Sequence, residues 1–325
     1  MTVLFAGGEC EAFVVSNAAN VSEVTTGGTY DSTYSRCSIE LRGGSEWMES
    51  AVFAAQTTIW AHIEHYSGNT TGQSGLTVAT LYNSSGTAVF RLQYTSTGVV
   101  QPQYWNGSAW TNIGTTISVS VSTRYIYDLK VVCGASGSFE LYVGGTLQSS
   151  GSASMTSVND IAKVRCHSGT TSASNRHCFS QIIVATTSTV GWKYYLKPPT
   201  GNGANTAFTN DYTAVDETTL SDADYITSGV ANDVETFTGA ALSLGSFIVK
   251  AVVVSMRAKN DGVAPVNVQA ALRRGSTNYF SSNLSINSGF GPALGIFETD
   301  PSTGVAWTAS DAGSSATEFG AKSIT

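Results

Sequence analysis

Charge is what this sequence has least of. Asp, Glu, Lys and Arg make up 12% of its 325 residues, about half the usual share. The basic residues are scattered, only Arg273 and Arg274 are adjacent, and the net charge is −7. Phosphate binding needs a basic patch or stripe, so a nucleic-acid partner is excluded. The longest apolar stretch, Phe247 to Met256, is short and interrupted by Lys250, so no helix is expected to span a membrane. The opening MTVLFAGGEC lacks a basic region followed by a long apolar run, and no secretory signal is expected. No run of ten or so residues places its apolar positions at a helical period, so little helix is expected. A Gly-x-Ser-x-Gly turn on a strand-to-helix pattern is also lacking, which leaves Ser/His/Asp nucleophilic catalysis without support. Cysteines number five, without repeated spacing, and four sit beside apolar residues in strand-like runs. They read as reduced, buried structural thiols.

What is present is core and turn. A hydrophobic share of 42%, with 10% aromatic residues, is ample for a folded interior, so low charge here means a neutral, hydroxyl-rich surface and not disorder. In RYIYDLKVVCGASGSFELYVGGTL, Tyr125, Tyr127, Leu129 and Val131 share one face of an extended segment. Beyond the Gly134–Gly137 turn, Phe139, Leu141 and Val143 do the same, which predicts two half-buried strands. From residue 37 to about 193 such runs recur, separated by Gly, Asn and Ser clusters: TTIWAHIEH, LTVATLY, AVFRLQY and YWNGSAW, the last with an Asn106-Gly107 hairpin signal. This rhythm predicts an all-β chain built from antiparallel sandwiches of jelly-roll type. Near Trp192 the texture changes, and WKYYLKPPTGNGANTAF carries the chain's one Pro-Pro pair, which disfavours helix and central strand. The expected division is a first domain over residues 1–193, a connector over 194–199 and a smaller second β-sandwich over 200–325. FIVKAVVVSMRAK and VNVQAALRR supply strands to the second.

Candidate sites are few. Glu64 shares a strand face with Trp60 and His62, but no second carboxylate joins it on that strand, and paired carboxylates are what glycoside hydrolysis on such a fold requires. In CHSGTTSASNRHC, Cys166, His167, His177 and Cys178 flank a Ser/Thr-rich loop. If the flanking segments pair as a hairpin, a zinc ion could find soft ligands there. The competing expectation is a hairpin with inward cysteines and outward histidines. Asp211, Asp216, Glu217, Asp222 and Asp224 could offer oxygen ligands to calcium, or form a solvated loop. Tyr104, Trp105 and Trp110 surround a hairpin tip, where they could stack on sugar, form a protein interface or pack into the core. At least one of the two tryptophans is expected to face inward. Trp307 and Phe319 are the large aromatics of the C-terminal segment and are expected to anchor it. No catalytic residue, resident metal or cofactor is expected.

Two resemblances add to this. RCSIEL followed by SEWMESAVF, the strand TTIWAHI, and the hairpin RYIYDLKV to SFELYVGG resemble a concanavalin A-like or laminin G-like jelly roll. That fold serves lectins, glycosidases and structural modules alike. YYLKPPTGNGANTAF, VDETTLSDADYI, IVKAVVVSMRAKNDG and ETDPSTGVAWTASDAGSSATEFGAKS resemble a module of tailed-bacteriophage virion proteins, and the opening LFAGGECEAF is similar to the start of such proteins. The resemblance implies a non-enzymatic structural component of a phage particle, in tail, neck or appendage. Such a component would assemble in symmetric copies with itself and other virion proteins after synthesis in the host cytoplasm. The alternative it leaves open is a carbohydrate-binding adhesin that contacts a host surface glycan; a glycan-cleaving enzyme is the third reading.

Overall fold

The computed structural model describes residues 2–17, 20–68, 73–156, 159–168 and 176–325. By contact density the chain separates into two compact units, Met1–Tyr194 and Tyr195–Thr325. The strands of the first unit are β1 (Val3–Gly7), β2 (Phe13–Val15), β3 (Val21–Val24), β4 (Ser38–Arg42), β5 (Trp47–Ser50), β6 (Thr58–Ser67), β7 (Thr77–Tyr82), β8 (Ala88–Ser96), β9 (Val99–Trp105), β10 (Trp110–Asn112), β11 (Ile117–Ser118), β12 (Arg124–Val132), β13 (Gly134–Val143), β14 (Thr146–Met155), β15 (Lys163–His167) and β16 (Arg176–Ala185). They form two antiparallel sheets. One runs β14-β13-β12-β6-β16-β4-β3 with β1 added beside β16, and the other runs β10-β9-β8-β7-β15-β5-β2 with β11 added beside β9.

Period-two alternation fixes which side chains meet between the sheets. Tyr127, Leu129 and Val131 of β12 pair with Val143, Leu141 and Phe139 of β13, and all but Val143 are buried. From the other sheet Phe90 meets Phe139 with ring centroids 5.3 Å apart, and Tyr94 meets His65 at 5.9 Å. These contacts join the inner faces into one core, in which each fully buried large apolar side chain contributes about 1.5–3 kcal/mol. The antiparallel, nearly all-β architecture is the one the alternation predicts. All five cysteines are free and buried.

The second unit holds β17 (Pro199–Thr206), β18 (Val234–Gly239), β19 (Val252–Ala258), β20 (Asn267–Arg274), β21 (Thr277–Phe280), β22 (Leu284–Ser285), β23 (Gly291–Phe297), β24 (Glu318–Ile324) and a short helix, Ala309–Gly313. Its larger sheet runs β17-β18-β24-β20-β21 with β22 beside β20, and β19 pairs with β23. Val254, Ala270, Leu272, Phe297 and Trp307 form the core, with Phe319 packed against it. The Trp307 indole donates to the Phe297 carbonyl at 2.8 Å. The prolines are accommodated because β17 is an edge strand that starts at Pro199, a position where the missing N–H costs nothing. The expected strand FIVKAVVVSMRAK is shortened at its start. β23 ends its pairing at Phe297 opposite Val252, so Phe247 and Ile248 have no partner strand and stand exposed.

Candidate functional site

In a sheet, residues paired across neighbouring strands point to the same face. Register therefore defines the outer face of the β10-to-β2 sheet, the side away from the core. One row across it reads Val14, Glu49, Arg165, Thr80, Arg91, Gln103 and Asn112. Lys163 and Tyr82 pair beside this row, as do Trp105 and Trp110, and on the other side Trp47 pairs with His167. Every strand places apolar residues inward at alternate positions, as with Phe90, Leu92 and Tyr94 around Arg91 and Gln93. The polar and aromatic residues between them are thereby fixed on one surface.

The side chains on this face are mutually ordered. Arg165 lies 4.4 Å from the Trp47 ring and 4.8 Å from the Tyr82 ring, donates to Glu49 at 2.7 Å and to the Tyr82 hydroxyl at 3.4 Å. Lys163 meets the other Glu49 oxygen at 2.8 Å and sits 5.3 Å over Tyr82. At the opposite end Arg91 stacks 4.2 Å over Trp110, and Trp110 meets Trp105 edge-on at 5.6 Å. Arg91 also donates to Gln103 at 2.7 Å, and Gln103 donates to Asn112 at 2.8 Å. Burial pulls the Arg91 guanidinium down to about 10, so it stays charged at neutral pH. Aromatic faces, amides and planar cations in one half-open array are suited to polyhydroxylated rings. Such rings offer C–H faces to stack and hydroxyls to bond.

Two of the three hairpin aromatics belong to this array. Trp105 and Trp110 both point outward, contrary to the expectation that one of them faces the core, because they are a register pair across the hairpin and must share a side. Tyr104 pairs with the core residue Phe90 and so lies on the opposite face. Residues 106–109 form the turn, with Gly107 at φ +101° and the Asn106 side chain accepting from the Ser108 and Ala109 amides at 2.9 Å.

The other sequence candidates are dispersed. Cys166 and His167 lie on β15 and His177 and Cys178 on β16, in opposite sheets, so the expected hairpin does not form; residues 169–175 between them lie outside the described residues. Cys166 pairs with the buried Met48 and faces inward. His177 stacks on His65 in the core, and Cys178 pairs with Glu40 on the outer side. The expectation of inward cysteines with outward histidines is thus reversed on β16. Among the described residues no group of three or more His, Cys, Asp or Glu is placed to hold a metal ion. In the acidic segment Asp211 accepts from Thr213 N at 3.0 Å, and Asp222 pairs with Arg257 at 2.6 Å.

Glu64, His62 and Trp60 do share the outer face of the other sheet. Pairing with β12 also brings Asp128 opposite His62, a second carboxylate that the sequence of one strand could not reveal. His62 Nδ1 lies 2.8 Å from Asp128, to which Thr189 also donates at 2.8 Å. Glu64 is held by Arg124 at 2.8 Å, by Gln181 at 2.8 Å and by Ser180. Both carboxylates are 1% exposed. They form a buried hydrogen-bonded network without access for a substrate.

Comparison with known proteins finds only distant structural similarity, over a little more than half of the chain. No family model matches, and no curated protein sequence matches. Among solved structures, an endo-β-1,4-glucuronan lyase from the fungus Trichoderma reesei has 11% identity and a TM-score of 0.46 over 57% of this chain and 96% of its own. Cellulose induced protein Cip1 has 14% identity and a TM-score of 0.42, over 56% and 94%. The carbohydrate binding module CBM66 from Bacillus subtilis has 12% identity and a TM-score of 0.34, over 53% and 93%.

These findings correct two expectations from the sequence. The similar structures include polysaccharide lyases and a carbohydrate-binding module, so the role of non-enzymatic structural component and the statement that the chain is no enzyme are both withdrawn. The physical reason is that a neutral, hydroxyl-rich surface suits contact with a glycan as well as it suits packing against protein. Composition does not separate the two.

Proposed function

We propose that the first unit binds a glycan along the outer face of the β10-to-β2 sheet. The observation that carries this reading is the Trp105–Trp110 pair beside Arg91, Gln103 and Asn112, an aromatic platform flanked by amide and guanidinium donors on a single face. In this reading the chain is a carbohydrate-binding adhesin whose partner is a surface glycan. Affinity electrophoresis of the chain through gels containing soluble polysaccharides tests the reading. Retardation by at least one polysaccharide is expected, and Trp105→Ala and Trp110→Ala should each weaken it about tenfold or more, since ring stacking and burial are lost together. Unchanged retardation in both variants would remove the platform from the argument.

A second reading, cleavage of the bound chain, is favoured by one arrangement. The Tyr82 hydroxyl, a proton-transfer group, lies beside Arg165 and beneath Lys163, on the same face as the proposed platform, where it could move a proton to or from a bound sugar. Loss of polymer length during incubation, absent in Tyr82→Phe, is its expected signature.

A further inference from the structure

The three cations of the glycan-facing sheet are not equivalent. Lys163 and Arg165 share one carboxylate, that of Glu49, at 2.8 Å and 2.5 Å. Their charge is thus compensated within the protein. Arg91 forms no ion pair among the described residues. Its Nε is engaged by Gln103 and its plane is held against Trp110, which leaves its terminal N–H groups as the part of the fork without a protein acceptor. A half-buried guanidinium without a counter-ion is costly, and a ligand that brings the anion recovers that cost. The match is chemical as well as electrostatic, because the planar fork bonds a carboxylate in bidentate fashion and stacking has already fixed the plane.

Building on the glycan-binding reading, we propose that the ligand is a uronic-acid polysaccharide and that Arg91 is the subsite for one sugar carboxylate, next to the Trp105–Trp110 platform. The net charge of −7 opposes long-range attraction of a polyanion, so selection must occur at contact distance. Added salt, which screens the unfavourable field beyond about 10 Å, should leave affinity unchanged or raise it. A site that works by general cationic attraction would behave in the opposite way.

The test is isothermal titration calorimetry of the full chain with alginate, polygalacturonate and hyaluronan, each also in a form whose carboxyls have been reduced to alcohols. The expected result is at least tenfold tighter binding of one native polyuronate than of its reduced form. In Arg91→Gln that preference falls towards one, and in Arg91→Lys, which keeps charge but not the fork, it is partly retained. Because the preference is a ratio measured within each variant, a general loss of fold is not mistaken for it, and a thermal melt of each variant checks the point. Equal binding of native and reduced polymers by the wild type would overturn the carboxylate subsite and leave glycan binding standing. Binding of neutral polysaccharides in the affinity gels without any polyuronate binding would do the same. Tighter binding to dextran sulfate than to every polyuronate, lost as salt rises, would reveal nonspecific polyanion attraction and overturn the proposal. Absence of binding to every polysaccharide tried would overturn both readings.

Discussion

The imidazole rings of His65 and His177 stack in the core of the first unit, 5.6 Å apart and within 14° of parallel, and none of their ring nitrogens has a hydrogen-bond partner among the described residues. Tyr94, Tyr127 and Phe179 pack around His65, so no carboxylate stands in ring contact to compensate a proton.

Acid should therefore unfold the first unit early. Burial pushes both histidines down, His177 to about 4 and His65 well below its ordinary value. A depressed base contributes stability that is present above its unfolded value, near 6.5, and is lost as pH falls towards the folded value. The melting temperature should begin to fall below about pH 6.5 and continue downward to about pH 4. The double variant His65→Phe/His177→Phe should flatten that slope; an unchanged slope would assign the acid sensitivity elsewhere.

Glu11 works in the other direction. Burial, together with the charges of Glu23 and Glu9, pushes its carboxyl up to about 8, so the folded chain keeps a proton that the unfolded chain releases. A raised acid contributes stability that is complete below its unfolded value, about 4.5, and is lost as pH rises through the folded value. Glu11→Gln should lose less stability than the wild type between pH 5 and pH 8, as read from urea midpoints across that range.

Trp307 is the anchor of the second unit. Truncation to Ala removes a buried indole and its bond to the Phe297 carbonyl and should cost about 3–5 kcal/mol. Trp307→Phe keeps most of the packing and should cost less. Calorimetric melts of the full chain would separate the two, and a wild-type melt in Trp307→Ala would show that the segment is not held by this side chain.

The five thiols are free and buried, and burial pushes Cys133 and Cys178 up to about 12. All five should react with a thiol reagent after unfolding without reductant and react slowly before it. Reductant should leave the melting temperature unchanged within about a degree, since no cross-link worth about 2–5 kcal/mol is present to lose.

Strands and their inward faces were legible because burial imposes a period of two on the residues themselves, as in Tyr127, Leu129 and Val131. Sheet membership was not legible. β15 and β16 follow one another in sequence yet belong to opposite sheets, and nothing in the alternation of either strand names its neighbour. The platform residues Trp105 and Trp110 could be read as a pair because one hairpin holds both. Arg91, Tyr82, Glu49, Lys163 and Arg165 come from four different strands and meet only through topology. Their available signal was polar or aromatic residues at the outward positions of strands whose inward positions are apolar. Read strand by strand, that signal looks like an ordinary solvated face.

Glu49 occupies the place that a ligand's acid group would otherwise take beside Lys163 and Arg165. In the proposed uronate-binding role it would act as a tethered competitor, present at a local concentration no free polyanion matches, and would keep half of the face closed to indiscriminate acidic partners. Only at the Arg91 end is the competition absent, which gives the surface a polarity. A chain-like ligand lying across the strands would meet an open anion position at one end and a guarded one at the other, and would thereby be read in one direction.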